Sequence, residues 1–245
     1  MNIAFIGFGK VAFNLVSIIQ SEDITFSTSR QNRSKSTINL INKSNVQVFD
    51  TFRQAIENAD IVISVNTPSK SIEVAKSYCK YCNGIFLDLN NISPKTTLEI
   101  NDLVDNFVDG AIIGKIDSEN PTIYLSGSKA EELLFLNDYL DIKIISDNAG
   151  DASKLKMLRS TYTKSLSALL IESYQLAQSL NLEDEFFDTL SLTEGDDFKE
   201  KSLSRINNTL KSSKRKSEEL EEILDYFGNE DLEMVAAALK KLKQF

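Results

Sequence analysis

A chain of 245 residues without a histidine must carry out any proton chemistry with lysine, tyrosine, aspartate, glutamate or water. Within that restriction the first 15 residues, MNIAFIGFGKVAFNL, carry the clearest chemistry. An apolar run from Ile3 to Ile6 meets Gly7-Phe8-Gly9-Lys10-Val11-Ala12. Gly7 would make a tight turn, Gly9 would let the backbone approach a pyrophosphate, and Ala12, in place of a third glycine, would let helix and strand pack closely. The pyrophosphate would rest on the free N–H groups and positive end of the helix that follows. Gly7, Phe8, Gly9, Lys10 and Val11 are therefore cofactor-binding candidates, joined by Asn66 and Thr67 just beyond a later apolar run.

About 20 residues past such a turn, an acidic side chain binds the ribose 2′-hydroxyl of NAD, whereas this chain has Thr28-Ser29-Arg30, with Arg33 and Lys35 behind. That favours NADP, with NAD as the lesser choice: Ser29 would donate to the 2′-phosphate, and Arg30 and Arg33 would supply charge or stack on adenine. The bland alternative is a solvated basic loop. Two cysteines, Cys79 and Cys82, form a CxxC, but no second pair and no histidine complete a zinc site, so structural thiols are expected and no metal. A net charge of −9 argues against a nucleic-acid partner. No apolar run approaches the roughly 18 residues of a membrane span, and the chain enters its first strand directly, so a cytoplasmic protein is expected.

These groups need elements to hold them. Apolar runs follow at Ile24 to Thr28, Val46 to Phe49, Ile61 to Val65, Ile85 to Leu89, Phe107 to Ile113, Ile123 to Leu125 and Ile142 to Ile145, with helix-like segments between most of them. Alternation of this kind gives an α/β fold with a mainly parallel, twisted, doubly wound sheet. Ser93-Pro94 is a helix start, and Ser128 with Glu131 reads as a capping box for a helix to Tyr139. Near residue 148 the pattern changes. From Asp151 to about Leu180 there is no proline or glycine, and Leu155, Leu158, Leu166, Leu169, Leu170 and Leu176 suit one long helix. Helices are expected at about Glu183 to Leu192, Asp197 to Phe227 and Asp231 to Lys243. The expected division is a Rossmann domain at 1–147 and an all-α domain at 148–245. The run Lys211, Lys214, Arg215, Lys216 followed by Glu218, Glu219, Glu221 and Glu222 reads as a solvated helix face, with an anion site as the lesser reading. A long amphipathic helix also suggests a homodimer through the helical domain.

Two later stretches act together with the glycine turn: Asp88-Leu89-Asn90-Asn91-Ile92-Ser93-Pro94 after a strand, and Asn148-Ala149-Gly150-Asp151-Ala152-Ser153-Lys154 opening the long helix. The three, in this order, resemble the β-hydroxyacid dehydrogenase superfamily, which includes 6-phosphogluconate dehydrogenase and 3-hydroxyisobutyrate dehydrogenase. The segment KLKMLRSTYTKSLSALLIE from Lys154 is more similar to the phosphogluconate dehydrogenase-like branch, whose C-terminal domain has no assigned function. The resemblance implies that Asn90 and Asn91 bind substrate and that Lys154 polarises the substrate hydroxyl and transfers a proton. Lysine suits that role if desolvation and a neighbouring positive charge lower its pKa; otherwise it is a first-turn surface lysine.

The chain also departs from the family. Met157 and Leu158 stand where asparagines are usual, and Asp109-Gly110-Ala111-Ile112-Ile113-Gly114-Lys115 stands where Ser-Gly-Gly is usual after the strand. Thr161 and Ser165, on the face of Lys154 at helical spacing, would then replace the missing polar groups and Lys115 would supply a charge for an acidic substrate, the plain alternative being a buried Met157 and Leu158 in an interdomain core. The function expected is hydride transfer between NADP and a small anionic hydroxyacid or sugar acid. The alternatives are a non-catalytic nucleotide-sensing or scaffold protein, and an imine or cofactor reductase that would not need Lys154.

Overall fold

The structure is a computed structural model that describes residues 1–118, 121–228 and 231–245. The elements run β1 (Asn2–Ile6), α1 (Lys10–Ile18), β2 (Thr25–Ser29), α2 (Lys35–Asn42), β3 (Gln47–Phe49), α3 (Phe52–Ile56), β4 (Ile61–Ser64), α4 (Ser71–Tyr78), β5 (Ile85–Asp88), α5 (Pro94–Asn101), β6 (Phe107–Ile113), β7 (Thr122–Ser126) and β8 (Asp141–Ser146). There follow α6 (Asp151–Leu180), α7 (Glu183–Glu194), α8 (Phe198–Leu210), α9 (Ser213–Tyr226) and α10 (Glu233–Leu242). No described helix is long and apolar enough to cross a membrane.

The strands form one sheet in the order β3-β2-β1-β4-β5-β6-β7-β8, parallel except where β7 runs against β6. Period-two alternation explains why the strands read as unbroken apolar runs: both faces are covered. Ile3, Phe5, Ile61, Ile63, Ile85 and Leu87 pack on one side with Ala12, Leu15 and Ile41 of the first two helices. Ala4, Ile6, Val62 and Phe86 pack on the other with Phe52, Ile56, Ala75 and Ile100 of the next three. Ser93 caps α5 by accepting from the Thr96 N–H, with Pro94 at its first position, as expected.

The chain divides into compact units at Met1–Lys156 and Met157–Phe245, inside α6 rather than before it. The reason is chemical. Asp109, buried on β6, accepts from the Ser153 N–H (2.8 Å) and hydroxyl (2.7 Å), and Ser126 of β7 accepts from the Ala152 N–H (2.9 Å). The sheet thus supplies the acceptors that the first turn of a helix lacks, and that turn belongs with the sheet.

Two helix expectations are corrected. Residues Ala130–Asp138 form a 3-10 helix, and its first residues are held by a backbone bond from Ala130 N–H to Gly127 O and by a Lys129–Glu132 ion pair, with no cap from Ser128. The segment 197–227 is two helices. Ser212 donates to the Asn208 carbonyl, and two adjacent serines, which compete for backbone groups, interrupt the helix there. The break changes the fate of the basic run. Lys216 is half-buried and donates to Thr209 Oγ1 (2.6 Å), and Glu219 pairs with the buried Lys164 (2.5 Å), so this face is not simply solvated. The core of the second unit gathers Met157, Ala168, Ile171, Phe187, Ile206, Leu220, Ile223, Val235 and Leu242.

If Asp109 seats α6, Asp109→Ala should lower stability by about 3 kcal/mol, because it leaves buried donors without partners. Asp109→Asn, which keeps one acceptor, should lose less. Urea unfolding followed by far-ultraviolet circular dichroism measures both. An unchanged midpoint for the alanine variant would show that the helix is held by other means.

Candidate nucleotide and lysine site

The glycine turn leaves the sheet at its topological switch point. From β1 the chain crosses to β2 on one side, and β4 pairs on the other. In a parallel sheet the crevice outside the strand ends at that point is where dinucleotides bind. Gly7 has φ +96°, and a Cβ there would lie 2.3 Å from the Val65 carbonyl oxygen, so only glycine fits. Gly9 differs: it is the N-cap of α1, no side chain caps that helix, and a Cβ at Gly9 would meet nothing within 4 Å. An uncapped helix N-terminus facing open space is the cradle that a pyrophosphate requires, so the residues present fit the cofactor.

The flanking candidates divide. Phe8 is buried, with its ring edge-on to Phe5 at 5.7 Å, so its side chain belongs to the core and only its backbone can serve the turn. Val11 packs against the same core. The Lys10 ammonium meets Asp117, beyond β6, at 2.7 Å. Ser29 corrects the sequence reading. Its hydroxyl is buried, donates to Asp50 O (3.1 Å) and accepts from the Gln31 N–H (3.1 Å), so it shapes the loop rather than facing a phosphate. Arg30 is exposed and donates to Asn42 Oδ1 (2.6 Å), while the Arg33 guanidinium lies over the Phe52 ring at 4.9 Å. Of the three, Arg30 is the one presented to solvent at the end of β2.

From the turn, a line of polar contacts runs across the strand ends. The Asn66 side chain donates to Ile6 O (2.8 Å), and its backbone N–H donates to Asn90 Oδ1 (2.5 Å). Asn90 Nδ2 donates to Ser64 Oγ and to Asp88 Oδ2, both at 2.9 Å, and its N–H donates to Asp88 Oδ1. Both the oxygen and the nitrogen of the Asn90 amide are thus engaged in the frame of the site. Asn91 beside it is exposed, as are Thr67 and Lys115. Asp88 is in register with Asp109 on the next strand. Burial pushes Asp88 up to about 7 against its hydrogen bonds from Asn90, with Asp109 adding to the rise. Burial likewise raises Asp109, opposed by its bonds from Ser153. Sequence reading missed both acids; an aspartate inside the apolar strand FVDGAII was the available signal.

Asp109 in turn holds Ser153, whose hydroxyl also meets Thr97 of α5 (3.2 Å), and the next residue is Lys154. Lys154 Nζ donates to Asp151 Oδ1 at 2.8 Å, and Ser146 donates to the other oxygen at 2.6 Å. These bonds, from Lys154 first, hold Asp151 below the usual carboxylate range. Asp151 is thus a carboxylate neighbour of Lys154. Thr161 lies in the second unit and donates to Leu158 O. There Met157 is buried and Leu158 exposed. Burial lifts Cys79 to about 12 and Cys82 to about 11, which favours the protonated thiol at both. Among the described residues no group of three metal-ligating side chains occurs.

Residues 2–85 match the family described as NADP oxidoreductase, coenzyme F420-dependent. An uncharacterized 28.5 kDa protein in the 7S RNA 5′ region of Methanothermus fervidus is 38% identical over 238 residues, 96% of this chain and 94% of that protein. A solved conserved protein of unknown function, described as structurally similar to 3-hydroxyacid dehydrogenases, has 35% identity and a TM-score of 0.86, over 100% of this chain and 96% of its own. The Mycobacterium tuberculosis 3-hydroxyisobutyrate dehydrogenase, solved with L-serine, has a TM-score of 0.80 at 18% identity, over 100% of this chain and 93% of its own, a likeness of fold alone. The chain therefore belongs with the Methanothermus protein and that conserved protein in a family that joins an NAD(P)-binding Rossmann domain to a helical C-terminal domain, structurally like the 3-hydroxyacid dehydrogenases.

Proposed function

We propose that this protein is an NADP-preferring oxidoreductase acting on a small anionic hydroxyacid or sugar acid, with Lys154 as its acid–base group. The observation that carries the reading is the open, uncapped Gly9 end of α1, joined through Asn66, Asn90, Asp88 and Asp109 to the turn that bears Lys154. Bound NADP would supply a hydride acceptor at nicotinamide C4. The chain's own residues do the rest. Gly7 and Gly9 admit the pyrophosphate, Arg30 offers charge to the 2′-phosphate, and the Asn66–Asn90 bond fixes the loops beyond β4 and β5. Lys154 donates a hydrogen bond to the reacting oxygen and holds or gives up its proton, with Asp151 orienting the ammonium. Exposed Lys115 supplies a charge for an acidic substrate.

Two observations favour a second reading. The Asn90 amide is committed inward, and Met157 and Leu158 replace polar side chains, so a nucleotide-sensing protein without turnover is the alternative. A screen of hydroxyacids and sugar acids for NADP reduction separates the two, since turnover of any of them excludes the sensor.

For the cofactor, calorimetric titration at one salt concentration should show NADPH binding more tightly than NADH. Equal affinities, or a preference for NADH, would remove the argument from Arg30 and Arg33.

For the chemistry, Lys154→Met should leave NADPH affinity and melting temperature nearly unchanged. Turnover on a confirmed substrate should fall about 100-fold or more, the range for removing a positioned acid–base group. Gly9→Val should show the reverse pattern. Its φ of −92° and ψ of −158° suit a β-branched residue, so the protein should fold while the added side chain blocks the cradle. Full activity in Lys154→Met would refute the lysine's role.

A further inference from the structure

Three polar side chains are buried where β4 and β5 end: Ser64 and Asp88, which are partners in register, and Asn90 just beyond. Burial is tolerable for such groups only where each finds a partner, and these three partner one another. Asp88 Oδ1 accepts from the Asn90 N–H at 2.8 Å, Asp88 Oδ2 accepts from Asn90 Nδ2 at 2.9 Å, and Ser64 adds a further bond to the carboxylate. A carboxylate can only accept, so it takes the nitrogen of the Asn90 amide and leaves the amide oxygen to face the Asn66 N–H at 2.5 Å. Asn66 stands against the glycine turn. Its side chain donates to Ile6 O (2.8 Å), the Val65 N–H donates to the same oxygen (3.0 Å), and a Cβ on Gly7 would lie 2.3 Å from Val65 O and 2.9 Å from Asn66 Oδ1.

We infer that Asp88 is a positioning residue for the dinucleotide: its ionised carboxylate fixes which way the Asn90 amide points, and that amide holds the Val65–Asn66 peptide against the glycine turn in the form that receives a diphosphate. The inference rests on the cofactor reading proposed above and adds a proton to it. With a proton on Oδ2, Asp88 becomes a donor facing the donor Nδ2 of Asn90. The Asn90 N–H at Oδ1 belongs to the backbone and cannot turn, whereas the amide can. Turned over, the amide puts its oxygen on the Asp88 proton and its nitrogen on the Asn66 N–H, so two donors meet and the bond that holds Asn66 is lost. The exchange falls near neutrality because burial lifts Asp88 to about 7, with Asp109 adding to the rise against the bonds from Asn90 and Ser64. The titratable groups that face it are Asp109 on β6 and Cys79 after α4. Burial lifts that thiol to about 12, which favours its neutral form, and Lys156 acts on the pair by favouring the carboxylate of Asp109. If the dinucleotide takes only the ionised form, binding releases a proton below about 7, and affinity falls as pH falls.

Calorimetric titration of the full chain with NADPH, at one salt concentration and at a pH about one unit above and about one unit below 7, reads this directly. Affinity should fall about tenfold from the higher pH to the lower, the factor by which a group titrating near 7 depletes the competent form. The same fall should appear with NADH, which excludes the 2′-phosphate and its own ionisation at about 6 as the source. Asp88→Asn presents a donor to the Asn90 amide at every pH. It should bind at the higher pH as weakly as the wild type does at the lower, with no further fall, and circular dichroism checks that it folds. Asn90→Ala cuts the relay one step later and serves in its place should Asp88→Asn not fold; it should also bind weakly and without pH dependence. Equal wild-type affinities at the two pH values, a fall that persists in either variant, or a variant that binds as tightly as the wild type at the higher pH would overturn the inference and leave the cofactor reading standing. Binding of neither dinucleotide at the higher pH would instead overturn the cofactor reading, and this inference with it.

Discussion

The carboxylate of Asp109 is the interaction on which the arrangement of this protein rests. A buried carboxylate is costly unless it is hydrogen-bonded, and here Ser153 supplies a backbone and a hydroxyl donor at the positive end of a long helix. The same bonds satisfy donors that the first turn of α6 would otherwise leave unpaired. Acid and helix therefore require each other. Because Asp109 lies within β6 and Ser126 within β7, the start of α6 is fixed to the sheet, and with it the position of Lys154.

The rest of the candidate site extends this tie in one direction. In a parallel sheet, strand ends gather at one edge, and here the residues just past β1, β4 and β5, with Asp109 of β6, supply Gly7, Asn66, Asn90 and the grip on α6 in succession. Neighbouring strands carry neighbouring members of the line, which is why residues far apart in sequence lie side by side. Above it Lys10 and Asp117 meet, bringing the segment beyond β6 to the glycine turn. The solved conserved protein of unknown function shares the architecture.

What sequence made legible follows the range of the forces involved. The glycine turn, the strands and the limits of α6 were readable because local pattern and tertiary packing demand the same residues there. Ser128 and Glu131 have capping-box spacing, yet backbone bonding to Gly127 selected a tighter helix, a competition that spacing does not reveal. The break before Ser213 likewise sets Lys216 and Glu219 against partners on other helices. Within the site, a motif names residues but not the directions of their side chains. Ser29 ends β2 and Asn90 follows β5, and the polar groups of both turn inward to satisfy the frame. A side chain's direction is fixed by neighbours distant in sequence, and an isolated motif carries no record of them.

The pairing of Asp88 with Asp109 has a consequence for proton linkage. An aspartate in the unfolded chain titrates near 4, whereas Asp88 in the folded protein titrates at about 7. A folded value above the unfolded one means that the folded state holds its proton longer, so this group's contribution to stability is fully present below about 4 and fades as pH rises through about 7. Burial raises Asp109 in the same direction. Asp151, held low by Lys154, has the opposite dependence and loses its contribution as pH falls. In a chain without histidine, a buried carboxyl at the strand ends thus takes the place of imidazole as a group that changes charge near neutrality. The frame around the glycine turn is accordingly least burdened by buried charge on the acid side of neutrality.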